Sequence, residues 1–203
     1  MAFTFFFRDT QTLRLAIEYF YPYIQSRSRI TVWSAGCAMG QEPYTFAILL
    51  REIIGPYIFR NVKIYATDID QYDQYGPIIM EGKYPVKDLE RIPENMFAKY
   101  FHPYPGDTEF CQISDEIRHV VEFKKHDLLS FEPIRYGFNL IICKNVLLHF
   151  SPEERLKVWE MFYSALEDGG FMLHEHTQKL PDERNEKFEQ IIMNAQIFRK
   201  QVK

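Results

Sequence analysis

The chain is expected to fold as a doubly wound α/β sheet, and three observations predict it. Short β-branched and aromatic runs alternate with helix-spaced apolar patterns along the 203 residues, and such alternation with short connections implies a mostly parallel sheet. The run Val32-Trp33-Ser34-Ala35-Gly36-Cys37-Ala38-Met39-Gly40-Gln41-Glu42-Pro43-Tyr44 reads as a buried strand, a glycine turn and the first turn of a helix. The next strand, Ile64-Tyr65-Ala66-Thr67, ends in Asp68. A glycine turn followed by an acid at the end of the next strand is how many α/β folds hold a ribose, with the backbone N–H groups of the helix start offered to the ligand.

The elements follow in order. Leu13, Ala16, Ile17, Phe20 and Ile24 fall on one stripe, which predicts a helix over 10–24. Ser26-Arg27-Ser28-Arg29 is a polar break before a strand over 30–34. A helix is predicted over 43–54, with Pro43 at the first helical position, where its missing N–H has no partner to lose. Gly55-Pro56 is expected to end that helix. The second strand is 62–67, and 69–83 reads as a short helix interrupted at Gly76-Pro77. Pro85, Pro93, Pro103 and Pro105 then break the pattern, and Phe110-Cys111-Gln112-Ile113 reads as a strand after a Pro-Gly-Asp turn. Residues 84–118 are therefore expected to form an inserted antiparallel β-subdomain within a single domain spanning 1–203. Strands over 119–124 and 139–143 follow, the latter apolar enough for a centre strand. Ser151 is an N-cap type opening a helix over 152–166. Glu167-Asp168-Gly169-Gly170 reads as a turn into a strand over 171–174, before a last helix over 182–195 and a closing edge strand at 197–200.

Composition narrows the function. A formal charge of −4 lacks the basic face of a duplex-binding protein, so no nucleic-acid partner is expected. No apolar run reaches the ~18–20 residues of a membrane span, so no direct membrane insertion is expected. The apolar N-terminus has no basic leader and no cleavage site. Three widely spaced cysteines, Cys37, Cys111 and Cys143, read as reduced thiols, and the expected location is the cytoplasm. His174 and His176 flank Glu175 on a strand, but no third ligand is placed beside them, and no metal is expected. Phe5-Phe6-Phe7 is expected to plug the core.

Five blocks occur together in order: Thr4-x-Phe6-Phe7-Arg8-Asp9, then Trp33-Ser34-Ala35-Gly36-Cys37-x-x-Gly40-x-Glu42-Pro43-Tyr44, then Ala66-Thr67-Asp68-Ile69-Asp70, then Cys143-Lys144-Asn145-Val146-Leu147, then Gly169-Gly170. From about residue 4 to 200 this pattern resembles the CheR-type chemotaxis receptor methyltransferases. The resemblance implies a Rossmann-like sheet of the class I S-adenosylmethionine-dependent methyltransferases. It implies methyl transfer from S-adenosylmethionine to glutamate side chains of chemoreceptors, leaving S-adenosylhomocysteine. The partner would be the receptor's cytoplasmic region or another protein substrate. A methyltransferase with a different acceptor and a catalytically silent cofactor-binding module are the alternatives.

The resemblance also implies roles. Thr4 and Arg8 match the motif that touches the cofactor, with Arg8 near its methionine end and the acceptor carboxylate. Gly36 belongs to the cofactor turn, Glu42 would hold the methionine ammonium, and Asp68 the ribose hydroxyls. Asp127-Leu128 stands where the family has Asn-Leu beside the adenine, and Lys144-Asn145 where it has Arg-Asn over the cofactor. His149 replaces a tyrosine near the transferring methyl. Ala2 stands where an Asn is usual, and His174-Glu175-His176-Thr177-Gln178 replaces a Gly-x-Ser-Glu pattern. The family carries a helical domain ahead of the first motif, whereas Met1 stands almost at that motif here; a fragment, or a chain with another target, is expected. The chemistry needs neither a metal nor a general base, because a glutamate, with a reference pKa of about 4.3, is already ionised at neutral pH.

Overall fold

A computed structural model describes residues 4–174, 187–193 and 195–202. In chain order the elements are α1 (Thr10–Ile24), β1 (Ile30–Ala35), α2 (Gln41–Phe59), β2 (Val62–Asp68), α3 (Tyr75–Glu81), β3 (Lys83–Pro85), α4 (Glu94–Tyr100), β4 (Phe101–Tyr104), β5 (Asp107–Ile113), α5 (Asp115–Arg118), β6 (Val121–Lys125), β7 (Phe138–Cys143), α6 (Pro152–Ala165), β8 (Leu166–His174), β9 (Phe188–Gln190) and β10 (Ile197–Lys200). Seven strands form one sheet in the order β6-β2-β1-β7-β8-β10-β9. From β6 to β8 neighbouring strands run parallel, and β10 is antiparallel to both β8 and β9. The chain winds outward from β1 through β2 to β6, then returns to start again at β7. The crevice between the carboxyl ends of β1 and β7 is thus the topological switch point, where doubly wound folds bind ligands.

Alternation along the strands separates two cores. Ile30, Val32, Leu140 and Ile142 face α1 and α2, whereas Trp33, Ala35, Phe138, Ile141 and Cys143 belong to the cluster that includes Trp159 and Phe162 of α6. The predicted stripe of α1 is the stripe it buries. Full burial of side chains such as Phe20 or Leu140 contributes about 1.5–3 kcal/mol each. The second sheet, β3-β5-β4, is antiparallel throughout. Phe6 anchors it to the N-terminal segment: its ring lies edge-on to Tyr84 at 4.9 Å and to Phe101 at 5.5 Å.

Several local expectations are corrected. At Gly55-Pro56 the expected break is present: Gly55 leaves helical backbone at φ 75°, and what differs is a further turn over 56–59 that Pro56 opens beyond the kink. Gly76-Pro77 does not interrupt α3 but lies in its first turn. The start is set by Asp70, whose carboxylate accepts the amides of Gln74, Tyr75 and Gly76 at 2.8, 3.0 and 3.1 Å. Burial acts to raise the Asp70 pKa, but these three N–H groups outweigh it and hold the carboxyl below its ordinary range. Glu167 to Gly170 is not a separate turn; it is the irregular first part of β8, where the pairing with β7 slips between Phe138 and Leu140. Residues 188–190 of the predicted last helix form β9, because Phe188 pairs with Lys200 and buries its ring against Trp159 and Tyr163. Strand β10 is consequently internal, and β9 forms the edge. Residues 182–186 of that helix lie outside the described residues, as do Ala2 and Glu175 to Gln178.

Candidate functional site

A cavity of about 620 Å³ opens at the switch point. Each loop around it has a local cause. After β1 the chain turns at Gly36, φ 81°, whose amide and that of Cys37 both donate to the Thr67 carbonyl, at 2.7 and 2.9 Å. A Cβ on Gly36 would lie 2.2 Å from Cγ2 of Val146, so only glycine lets this turn meet the loop after β7. Gly40, φ 91°, is equally confined by Ile79 and the Tyr84 hydroxyl, which donates to the Met39 carbonyl at 2.6 Å. The three-stranded sheet thereby packs directly against the glycine turn.

The structure gathers the sequence-predicted residues on this one cavity. Gly36 lines it from the turn after β1, Glu42 from the start of α2, Asp68 from the end of β2, Asp127 and Leu128 from the turn after β6, and Lys144, Asn145 and His149 from the loop after β7. Thr4 and Arg8 line it from the N-terminal segment. That segment is tied down at two points. The Phe7 amide donates to Thr45 Oγ1 on α2 at 3.0 Å, and Lys144 Nζ lies 2.9 Å from Asp9 Oδ2. Phe7 and Asp9 both take left-handed backbone, φ 59° and 51°, which aims their neighbours inward. The aromatic triplet divides: Phe6 is fully buried, while Phe5 lines the cavity beside Arg8 and so does not plug the core.

Electrostatics distinguish the acids. Burial pushes the Glu42 carboxyl up, against the opposing pull of Lys144, the Ser34 hydroxyl, which donates at 2.9 Å, and Arg8. Asp68 Oδ2 accepts the Ala38 amide at 2.9 Å and its Oδ1 the Asp70 amide at 3.2 Å. Asp127 caps the turn after β6, accepting the Leu129 amide at 2.9 Å, while still facing the cavity. Asn145 stands in left-handed backbone, φ 60°, as the first bend after β7.

These features fit S-adenosylmethionine, the ligand that the resemblance implies. Glu42 is a half-buried carboxylate whose charge is opposed by desolvation, a site that an ammonium group completes. Each Asp68 oxygen has one backbone donor and keeps a lone pair for a hydroxyl. The volume lies within the range of small-molecule sites, about 300–1,000 Å³, and Phe5, Ile69, Leu148 and Phe150 supply apolar lining.

Sequence reasoning passed over Ser34, Thr45, His126 and Phe150. Thr45, His126 and Phe150 line the cavity, and Ser34 holds Glu42. Ser34 carried a usable signal, a hydroxyl one strand residue before the glycine turn; Thr45 stands three residues after Glu42 on α2, and His126 and Phe150 adjoin Asp127 and His149. His174 of the His-Glu-His run stacks on Phe198, ring centroids 5.4 Å apart. Among the described residues no cluster of His, Cys, Asp or Glu has metal-ligand spacing, and no helix is long and apolar enough to cross a membrane.

Comparison with known proteins bears on the same residues. A chemotaxis protein methyltransferase of Listeria innocua is 35% identical over 147 residues, 72% of this chain and 53% of the relative. One of Vibrio parahaemolyticus is 30% identical over 200 residues, 97% of this chain and 71% of the relative. A probable chemotaxis protein methyltransferase of Rhizobium etli is 27% identical over 195 residues, 93% and 72% respectively. The chain thus spans between about half and three quarters of the length of these relatives. Among solved structures, magnesium protoporphyrin IX methyltransferase from Synechocystis PCC 6803 with bound SAM aligns at a TM-score of 0.49 and 13% identity, over 95% of this chain and 79% of that one. The family model described as CheR methyltransferase, SAM binding domain, matches residues 2–197. That match runs nearly end to end and through every block that builds the cavity, so the chain belongs to the CheR methyltransferase family and carries its SAM-binding domain.

Proposed function

We propose that the chain methylates glutamate carboxylates in the cytoplasmic region of chemotaxis receptors, working in the cytoplasm, with S-adenosylmethionine as donor. The observation that carries this reading is the distribution of charge around one cavity. The start of α2 and the end of β2 contribute the acids Glu42 and Asp68, whereas Arg8, Lys144 and His149 come from the N-terminal segment and the loop after β7. A cationic donor and an anionic acceptor need that division.

When bound, S-adenosylmethionine supplies an electrophilic methyl on a sulfonium. The residues of the chain do the rest. Glu42 holds the ammonium and Asp68 the ribose hydroxyls, with Asp127 and Leu128 at the adenine and Thr4, Gly36, Lys144 and Asn145 enclosing the remainder. Arg8 receives the acceptor carboxylate, since a planar guanidinium can bind both oxygens. His149 stands on the acceptor side. The apolar residues around the mouth exclude water, which strengthens the ionic contacts within. Residues 84–118 act as an inserted unit, and strands β3 and β4 are both edges of its sheet, open to an added peptide strand. His149 in place of tyrosine, with the Glu175-His176-Thr177-Gln178 block, favours the alternative of a different acceptor, another protein carboxylate or a small molecule.

The test is transfer of labelled methyl from S-adenosylmethionine to a receptor cytoplasmic fragment, read as base-labile methyl ester. Wild type is expected to label the fragment, and Arg8→Ala to lose about 10²-fold in rate, the scale of a misplaced acceptor. Base-stable label would move the reaction away from carboxylates. An unchanged rate in Arg8→Ala would remove the role given to Arg8.

A further inference from the structure

A second cleft, about 370 Å³, lies at the opposite end of the sheet, around the amino ends of β1 and β7. Its chemistry differs from that of the methyl-donor cavity. Arg27, Arg29 and Arg135 line it with the hydroxyl residues Ser26 and Ser28, and Glu167 is its one acid. Three guanidinium groups against one carboxylate leave an excess of positive charge in a protein whose formal net charge is −4.

Two of these arginines are held in place by part of their donor set. Arg27 donates from Nε to the Tyr23 carbonyl at 3.1 Å, pairs through Nη1 with Glu167 at 2.6 Å, and lies 4.2 Å over the Tyr23 ring. Arg135 donates from Nε to the Tyr136 carbonyl at 3.3 Å and from Nη1 to the Tyr65 hydroxyl at 3.1 Å. In both cases Nη2 has no partner among the described residues, and Arg29 makes no hydrogen bond or ion pair to any of them. The side chains arrive from different sides of the sheet. Arg27 packs on Tyr23, which belongs with the α1 core, and Arg135 lies over Phe138 of the α6 core at 5.6 Å. The floor is rigid: Asn139 Oδ1 accepts the Thr31 amide at 2.7 Å, and its Nδ2 donates to Glu167 at 2.5 Å.

From this we infer that the cleft is an anion site that takes a phosphate group. Donors that enter one cleft from both sides of the sheet suit a tetrahedral dianion better than a planar carboxylate, which two coplanar donors satisfy. Guanidinium groups already oriented by their own partners lose little freedom when they bind. Strand β1 joins the two sites, beginning next to Arg29 and ending next to Gly36. Its six residues separate them by about 20 Å, so the two ligands do not compete.

The experiment titrates inorganic phosphate into the full chain at constant ionic strength, with chloride as control, by calorimetry and thermal melting. The variant is Arg29→Ala/Arg135→Ala, which leaves the Arg27–Glu167 pair intact; S-adenosylhomocysteine binding in the same samples reports that the protein is folded. Saturable phosphate binding, weakened at least 10-fold in the variant while S-adenosylhomocysteine binding is unchanged, is the expected result. A second arm measures co-sedimentation with phosphatidylcholine vesicles with and without phosphatidylglycerol. Binding to the anionic vesicles that free phosphate displaces, and that the variant lacks, assigns the site to lipid phosphate; phosphate binding without it assigns the site to a free phosphate or phosphorylated small molecule. Stabilisation by chloride equal to that by phosphate, or phosphate binding unchanged in the variant, overturns the inference.

Discussion

The two sides of the switch point are built by opposite routes. On the β1–β2 side, Gly36, Glu42 and Asp68 are placed by local structure: each sits at the end of a strand or in the first turn of the helix that follows. On the β7 side, Lys144, Asn145 and His149 meet the cavity through a loop that depends on distant partners. Lys144 reaches Asp9 across most of the chain, and Val146 fills the space that Gly36 leaves open. The acidic side is therefore prepared by sequence-local geometry, and the basic side by tertiary contact. Loss of one local residue should remove a ligand contact, whereas loss of one remote contact should loosen the loop.

The sharpest way to break the comparison is to drive the two sides apart. Gly36→Ala adds a Cβ 2.2 Å from Val146 at a φ of 81°, and should destabilise the fold by about 3 kcal/mol in denaturant titration. Val146→Ala in the same chain should recover part of that loss, which a double-mutant cycle reads directly. Independent, additive effects would mean that the two loops are not in contact. On the acidic side alone, Asp68→Ala should weaken S-adenosylhomocysteine binding by about 10²-fold, the value of charge-assisted hydrogen bonds. Calorimetry would show otherwise if the affinity held.

Glu42→Gln should give two effects of opposite sign. Affinity should fall by about tenfold, as one charged contact is lost. The ligand-free protein should melt higher at neutral pH. The sign follows from the raised Glu42 pKa: its contribution to stability is complete below the ordinary carboxylate range and is lost as pH rises through the raised value. The melting difference between variant and wild type should accordingly vanish at low pH, and a difference independent of pH would contradict the burial cause. The smallest effect belongs to the basic side. Asp9→Asn removes a half-exposed partner of Lys144, so it should cost under about 1 kcal/mol and show as faster hydrogen exchange over residues 4–9.

The strand-turn-helix run and Asp68 were legible because their spacing is imposed by the local backbone, where a glycine turn leaves few alternatives. The apolar stripe of α1 was legible for the same reason: helical period and burial coincide. The further turn over 56–59 was not, because it rests on burial of Phe59 in the core rather than on a local signal. Nor was β9, whose three residues take strand form only by pairing with β10. Thr45 and His126 carry no motif of their own, and they reach the cavity on the first turns of α2 and at the turn after β6. By itself the sequence determined the alternating sheet, the glycine turn and the acids at its edge, since each follows from periodicity and backbone sterics within a few residues. The tertiary structure alone decided which side chains face those acids and which arginines line the cleft at the opposite end of the sheet, because those positions follow from contacts between segments that no local pattern encodes.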